Sequence, residues 1–205
     1  MVNKEHPQNT QEIIFDAAKR VFIEKGFDGA RMQQIADEAG INKALLHYYY
    51  RSKDKLFDAI FAEAFMKFLP NISQIMMSDE CFERKIRLFI SHYTDMLMDN
   101  PHLPLFIMHE IQRKPDMIVK ILRSAGVNPS VVAVQLKNEA EEGKIRDIPL
   151  PHLMANIIGM CVLPFIGRPI LEGLLFNGNK QAFDHFLKER KILVADFIIN
   201  ALQNK

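Results

Sequence analysis

The sequence predicts an all-α chain, and three observations carry that prediction. Apolar residues recur at helical spacing, as in Ile13, Ile14, Ala17, Ala18, Val21 and Phe22, which fall at i, i+1, i+4, i+5, i+8 and i+9. Stretches of this kind are separated by Gly, Pro, Asn and Ser, the residues that stop or cap helices. No run of alternating polar and β-branched residues announces a strand, and there is no internal repeat or low-complexity segment.

The elements follow in order. The first helix carries the stripe just named. Asn9 with Glu12 offers it a capping box, Thr10 is an alternative N-cap, and Lys25-Gly26 supplies the stop. A short second helix covers about Met32 to Ala39 and ends at Gly40; a third runs from about Asn42, a good N-cap, to Tyr49. Ser52 caps a fourth, which continues through Phe57, Phe61 and Phe65 to about Leu69, where Pro70 marks an exit. Beyond the polar Ser78-Asp79-Glu80, helices are expected over about Phe82–Asp99, Pro104–Arg113, Met117–Ser124 and Ser130–Glu142. His152–Phe176, bent at its prolines, and Gln181–Gln203 complete the series.

A chain of 205 residues accommodates one large domain or a small one joined to a larger. With 48% hydrophobic and 25% charged residues it has the makings of an ordinary soluble core. The net charge is only +1, so any affinity for a polyanion must be local. Cys81 and Cys161 form no CxxC pair, which speaks against a disulfide scaffold or zinc site and fits a reducing cytoplasm; both read as buried small hydrophobes. Met1 to Gln11 is polar and is not a signal peptide. Leu153 to Phe176 is broken by Pro164, Arg168, Pro169 and Glu172. It reads as a buried helix pair, because a membrane span needs about 20 nearly unbroken apolar residues.

Function concentrates in Met32 to Tyr50, MQQIADEAGINKALLHYYY. Two short helices joined at Ala39-Gly40-Ile41 must pack at a steep angle. Ala36 is then small because a larger side chain would hold the helices apart, and Gly40 takes a left-handed turn position. Ile35, Ala39, Ile41 and Leu46 supply the shared core of a helix-turn-helix. Between Lys43 and Lys55 stand four cations and one carboxylate, a positive patch on a nearly neutral chain.

The first 60 or so residues resemble the DNA-binding domain of the TetR family of bacterial transcription regulators. The resemblance rests on Gly26-Phe27, on Ile35-Ala36-Asp37-Glu38-Ala39-Gly40-Ile41, on Leu46-His47-Tyr48-Tyr49-Tyr50 and on Ser52-Lys53-Asp54-Lys55-Leu56. It implies a homeodomain-like three-helix domain over residues 1–55, a linking helix over 53–69, and a helical ligand-binding and dimerisation domain over 70–205. It also implies that the third helix enters the major groove, with Lys43, Ala44, Leu45 and His47 facing base edges. Lys43 would donate to a guanine, and Ala44 or Leu45 would touch a thymine methyl. Tyr48, Tyr49 and Lys53 would hold phosphates, with Gln33 and Asn42 as further contacts. The sequence departs from the pattern twice. Arg31 stands where a capping Ser or Thr is usual; it can replace the phosphate contact but cannot accept a cap hydrogen bond. His47 stands where tyrosine is common.

In the C-terminal half the resemblance is one of architecture. It implies a homodimer through 152–176 and 181–203, two chains presenting two recognition helices to a palindromic operator. Phe183, Phe186, Leu187, Ile192, Leu193, Phe197, Ile198 and Leu202 make the last helix apolar over a wider arc than one core face needs. Phe89, His92, Tyr93, Met96, Phe106 and His109 fall where the family's ligand pocket lies and suit a largely apolar effector with one polar handle. Aromatics at helical spacing are equally the mark of core, and His92 and His109 fit a structural role as well. A second reading keeps the helix-turn-helix for protein contact without DNA affinity. A third, a helical enzyme, finds no support. His109-Glu110 meets Arg113 where a zincin needs its second His, Gly143-Lys144 lacks the rest of a P-loop, and no GxGxxG or GxSxG occurs. Neither a metal nor a cofactor is implied. The expectation is a repressor that releases its operator when a small molecule binds.

Overall fold

The computed structural model describes residues 7–101, 103–113 and 115–203, apart from the side chains at 7, 8, 23, 61, 64, 65, 67, 106, 109, 110, 112, 113 and 117. Among the described residues every regular element is a helix: α1 (Pro7–Gly29), α2 (Met32–Glu38), α3 (Lys43–Tyr49), α4 (Lys53–Met77), α5 (Phe82–Asp99), α6 (Leu103–Arg113), α7 (Pro115–Ser124), α8 (Pro129–Glu141), α9 (Leu150–Ile166), α10 (Arg168–Phe176) and α11 (Lys180–Leu202). They form two compact units, residues 1–65 and residues 66–205.

The stripe on α1 does what its period requires. Ile14, Ala17, Ala18, Val21 and Phe22 are buried, against Ile35 and Ala36 of α2, Leu46 of α3, and Leu56 and Phe57 of α4 in the same core. Phe22, Phe27 and Phe57 form its aromatic centre, with ring centroids 4.9 to 6.0 Å apart. Gly26, at φ +70°, breaks α1 and turns Phe27 into this cluster. Capping at Asn9 or Thr10 is corrected: α1 is already running at Pro7, so both residues lie inside the helix.

In residues 66–205, α5 is the central element, packed against α11 and α9. Its inward residues Ile90 and Leu97 are fully buried, and they share a core with Leu153, Ile157 and Cys161 of α9 and with Phe183, Leu187, Val194, Ala195 and Ile198 of α11. Arg87 bonds Asp196 at 2.6 Å, and Lys191 bonds Asp95, so two ion pairs tie α5 to α11 around that core. Both pairs are half exposed and set register more than stability.

Three further expectations are corrected. Pro70 does not end α4, which runs on to Met77. Continuing the helix buries Ile72 and half-buries Ile75 and Met76. Full burial of such a side chain contributes about 1.5–3 kcal/mol, and Ile72, the partial burial of Ile75 and Met76 and the Lys85 hydrogen bond to Met76 C=O together offset the roughly 3 kcal/mol a helical proline costs. Cys81 is exposed, at the position preceding α5; Cys161 is buried as expected, and burial pushes its thiol up to about 11. The pair α9 and α10 is not wholly buried. The two helices bend by 75° at Gly167, no residue of α10 is buried, and Leu163, Ile170, Leu174 and Leu175 are exposed. Taken singly, no described helix is long and apolar enough to cross a membrane.

Candidate functional site

The turn between α2 and α3 is built from backbone hydrogen bonds that only one chain geometry allows. Ile41 N–H donates to Ala36 C=O at 3.0 Å, and Gly40 N–H to Asp37 C=O at 3.1 Å. These are the two bonds of a Schellman motif, and they need a left-handed residue after the C-cap. Gly40 provides it at φ +67°. A Cβ there would meet nothing within 4 Å, so the demand on this position is conformational rather than steric. Asn42 then caps α3, its Oδ1 accepting from Leu45 N–H at 2.7 Å. Arg31 precedes α2 with extended backbone and makes no side-chain cap; Gln34 Oε1 instead accepts from the Arg31 N–H at 3.1 Å.

Held in this way, α3 has two distinct faces. Leu46 points inward and is fully buried, while Lys43, Ala44, His47 and Tyr48, spaced i, i+1, i+4 and i+5, form one exposed face. Leu45 and Tyr49 are half-buried on its flank. The three tyrosines diverge. Tyr48 is 82% exposed, and Tyr50 stacks on Phe15 at 5.6 Å, where burial raises its phenol pKa and nearby Glu63 adds to the effect. Tyr49 lies between them, with its ring 5.6 Å from that of Tyr48. His47 Nδ1 is 3.3 Å from the Arg51 carbonyl. Gln33 Nε2 donates to Asp37 Oδ1 at 2.8 Å.

Lys53 has a different environment from the other cations. Its ammonium donates to the carbonyls of Phe27, Ala30 and Asp28 at 2.6, 3.1 and 3.4 Å and lies 4.4 Å above the Phe27 ring. All three of its hydrogens are therefore engaged in joining the start of α4 to the last turn of α1 and to Ala30 just beyond it. Arg31, Lys43, Arg51 and Lys55 remain exposed, without a carboxylate partner among the described residues. Arg51 is the residue that motif reading passed over. Its signal is its place among the four cations between Lys43 and Lys55.

The second unit contains an apolar cavity of about 150 Å³, lined by α4, α5, α8 and α9 and by the loop before α8. Of the candidate ligand residues, Phe89 lines it. Tyr93 and Met96 are buried but are not among its lining; Tyr93 stacks on Phe89 and Phe68, each at 5.6 Å. His92 is exposed. The side chains of Phe106 and His109 lie outside the described residues. Lys85, which sequence reasoning missed, lines the cavity and is buried. The signal was a cation inside the apolar stripe of α5, three residues after Phe82 and four before Phe89.

Comparison with known proteins agrees with this geometry. The family model described as bacterial regulatory proteins, tetR family, matches residues 14–60. The chain is 38% identical over 184 residues to the HTH-type transcriptional repressor SCO4008 of Streptomyces coelicolor, covering 82% of this chain and 86% of that one. It is 21% identical over 192 residues to the probable HTH-type transcriptional regulator YttP of Bacillus subtilis, covering 91% and 92%. Among solved structures, the transcriptional regulator FadR from Bacillus subtilis in complex with stearoyl-CoA superposes with a TM-score of 0.68 at 17% identity, covering 94% of this chain and 99% of that one. At that identity the likeness shows a shared fold.

Proposed function

The chain belongs to the TetR family of bacterial transcription regulators, and from that premise we propose that it is a ligand-released repressor working as a homodimer in the cytoplasm. The observation that carries the reading is the outward face of α3, where Lys43, Ala44, His47 and Tyr48 stand clear of the core on a helix fixed at both ends. That face suits base edges. Arg31, Arg51 and Lys55 suit phosphates and supply the counterion release that dominates affinity. Lys53 acts as a brace, since its protons are already engaged.

A dimer is supported by what α9, α10 and α11 leave uncovered. Leu163, Ile170, Leu174, Leu175, Ile192, Leu193 and Phe197 are all at least 60% exposed. On α11, Phe183, Leu187, Ile198 and Leu202 are buried within the chain while Ile192, Leu193 and Phe197 face outward. A second copy covering this surface would give the complex two α3 helices, the number a palindromic operator with half-sites about 34–36 Å apart calls for. The cavity is the place for an apolar effector. The effector need only prefer a conformation with the wrong half-site spacing, and a difference of a few kcal/mol between states is enough for it to reverse the balance.

Selection of bound sites from a random duplex pool tests the reading. The expected outcome is a palindrome with half-sites one helical turn apart, bound with an affinity that falls steeply as salt rises. Failure to enrich any duplex, together with salt-independent anisotropy on random DNA, would instead favour a protein-contact role for the helix-turn-helix.

A further inference from the structure

We propose that the cavity of the second unit takes a monocarboxylate with a small apolar body, its head group paired with Lys85. The inference rests on the reading of this unit as the effector domain and adds to it the charge and size of the effector.

Lys85 is the charged residue among the described lining, which otherwise consists of apolar side chains such as Ile72, Phe82, Phe89 and Ile157 with little polar interruption. Only 5% of Lys85 is exposed. Its ammonium donates to Met76 C=O at 2.9 Å and to Gln135 Oε1 at 2.8 Å, both neutral oxygens, and no carboxylate pairs with it among the described residues. An ammonium carries three hydrogens, so one is uncommitted. Met76 lies in the last turn of α4, whose carbonyl end contributes roughly half a negative charge. That offsets part of the burial cost and leaves a net positive site at the wall of an apolar space. Buried charges are normally paired, and a bound anion would complete this one.

Size narrows the class. A cavity of about 150 Å³ is of the order that accepts a benzene ring in an apolar protein interior. A short or medium acyl chain or a single arene therefore fits better than a long lipid tail. Met77, Gly126, Val127, Asn128, Pro129 and Val131 line both this cavity and an open groove beside it, which gives a ligand a way in.

Calorimetric titration of the full-length protein with octanoate, 1-octanol and octylamine separates the possibilities. Octanoate is expected to bind roughly tenfold or more tightly than octanol, the worth of one hydrogen bond to a charged group, and octylamine is expected not to bind. In Lys85→Met the preference for the acid should vanish while octanol binding persists. If that variant does not fold, Lys85→Gln and the wild-type comparison decide. Equal binding of acid and alcohol by the wild type, or an acid preference that survives in Lys85→Met, overturns the head-group pairing and leaves an apolar effector site standing. If none of the three probes binds, the effector reading of the cavity falls and takes the pairing with it.

Discussion

In residues 1–65, Tyr48 is the exposed large hydrophobic among the described residues. In residues 66–205 such side chains are exposed from Met66 and Met77 through Leu105 and Val134 to Leu174 and Phe197. The first unit closes its core on itself and presents cations and polar groups, the surface of a protein whose partner is a polyanion. The second leaves apolar side chains of its α9–α11 face uncovered and holds an apolar cavity besides, features that suit the second copy and the apolar effector proposed for it. The contrast shows that two helical units of one chain can be told apart by what they leave unburied.

The comparison can be broken most sharply from within the first core. Leu46→Ala, at a fully buried site, should cost about 2–5 kcal/mol in denaturant unfolding and abolish operator binding while the dimer survives sedimentation analysis. Loss of the dimer as well would show that the units are not independent. Next in size, Leu174→Glu with Phe197→Glu should raise the dimer dissociation constant at least thirtyfold, about 2 kcal/mol, with helix content by circular dichroism unchanged. A persistent dimer would place the interface elsewhere. Lys53→Met strips three carbonyls of their donor and should cost about 1–3 kcal/mol of stability, with an unaltered salt slope for DNA binding. A reduced slope would return Lys53 to the phosphates. Lys43→Ala should lose about 1–3 kcal/mol at a single base position, whereas Arg51→Ala should weaken all sequences alike and lower the salt slope by roughly 1.

The two units were not equally legible. Ala36, Gly40, Asn42 and Leu46 could be placed from sequence because a tight turn between short helices has few solutions, and each solution demands a residue type at a fixed offset. Lys53 was legible as a cation but not in its use, since the carbonyls it reaches stand 23 to 26 residues earlier in the chain. Pro70 marks a helix exit by local propensity alone, and that propensity is outweighed by the packing of Ile72, Ile75 and Met76 beyond it. In the second unit, helical spacing marked Phe89, Tyr93 and Met96 as facing inward, but it cannot distinguish a wall of a cavity from solid core. Lys85 escaped notice because a lysine suggests solvent until tertiary packing encloses it.

The continuity of α4 through Pro70 has a mechanical consequence. The rod is riveted near both ends by a lysine ammonium on carbonyl oxygens, Lys53 at its first turn and Lys85 at its last. Partway along, Pro70 offers no hydrogen to the oxygen of Met66, where the second compact unit begins. The Met66 carbonyl is thereby left without its intrahelical donor, so α4 is locally least restrained at this point. Pro70→Ala should therefore leave effector and operator affinities, measured separately, within about twofold of wild type, while changing the effector concentration needed to free the DNA.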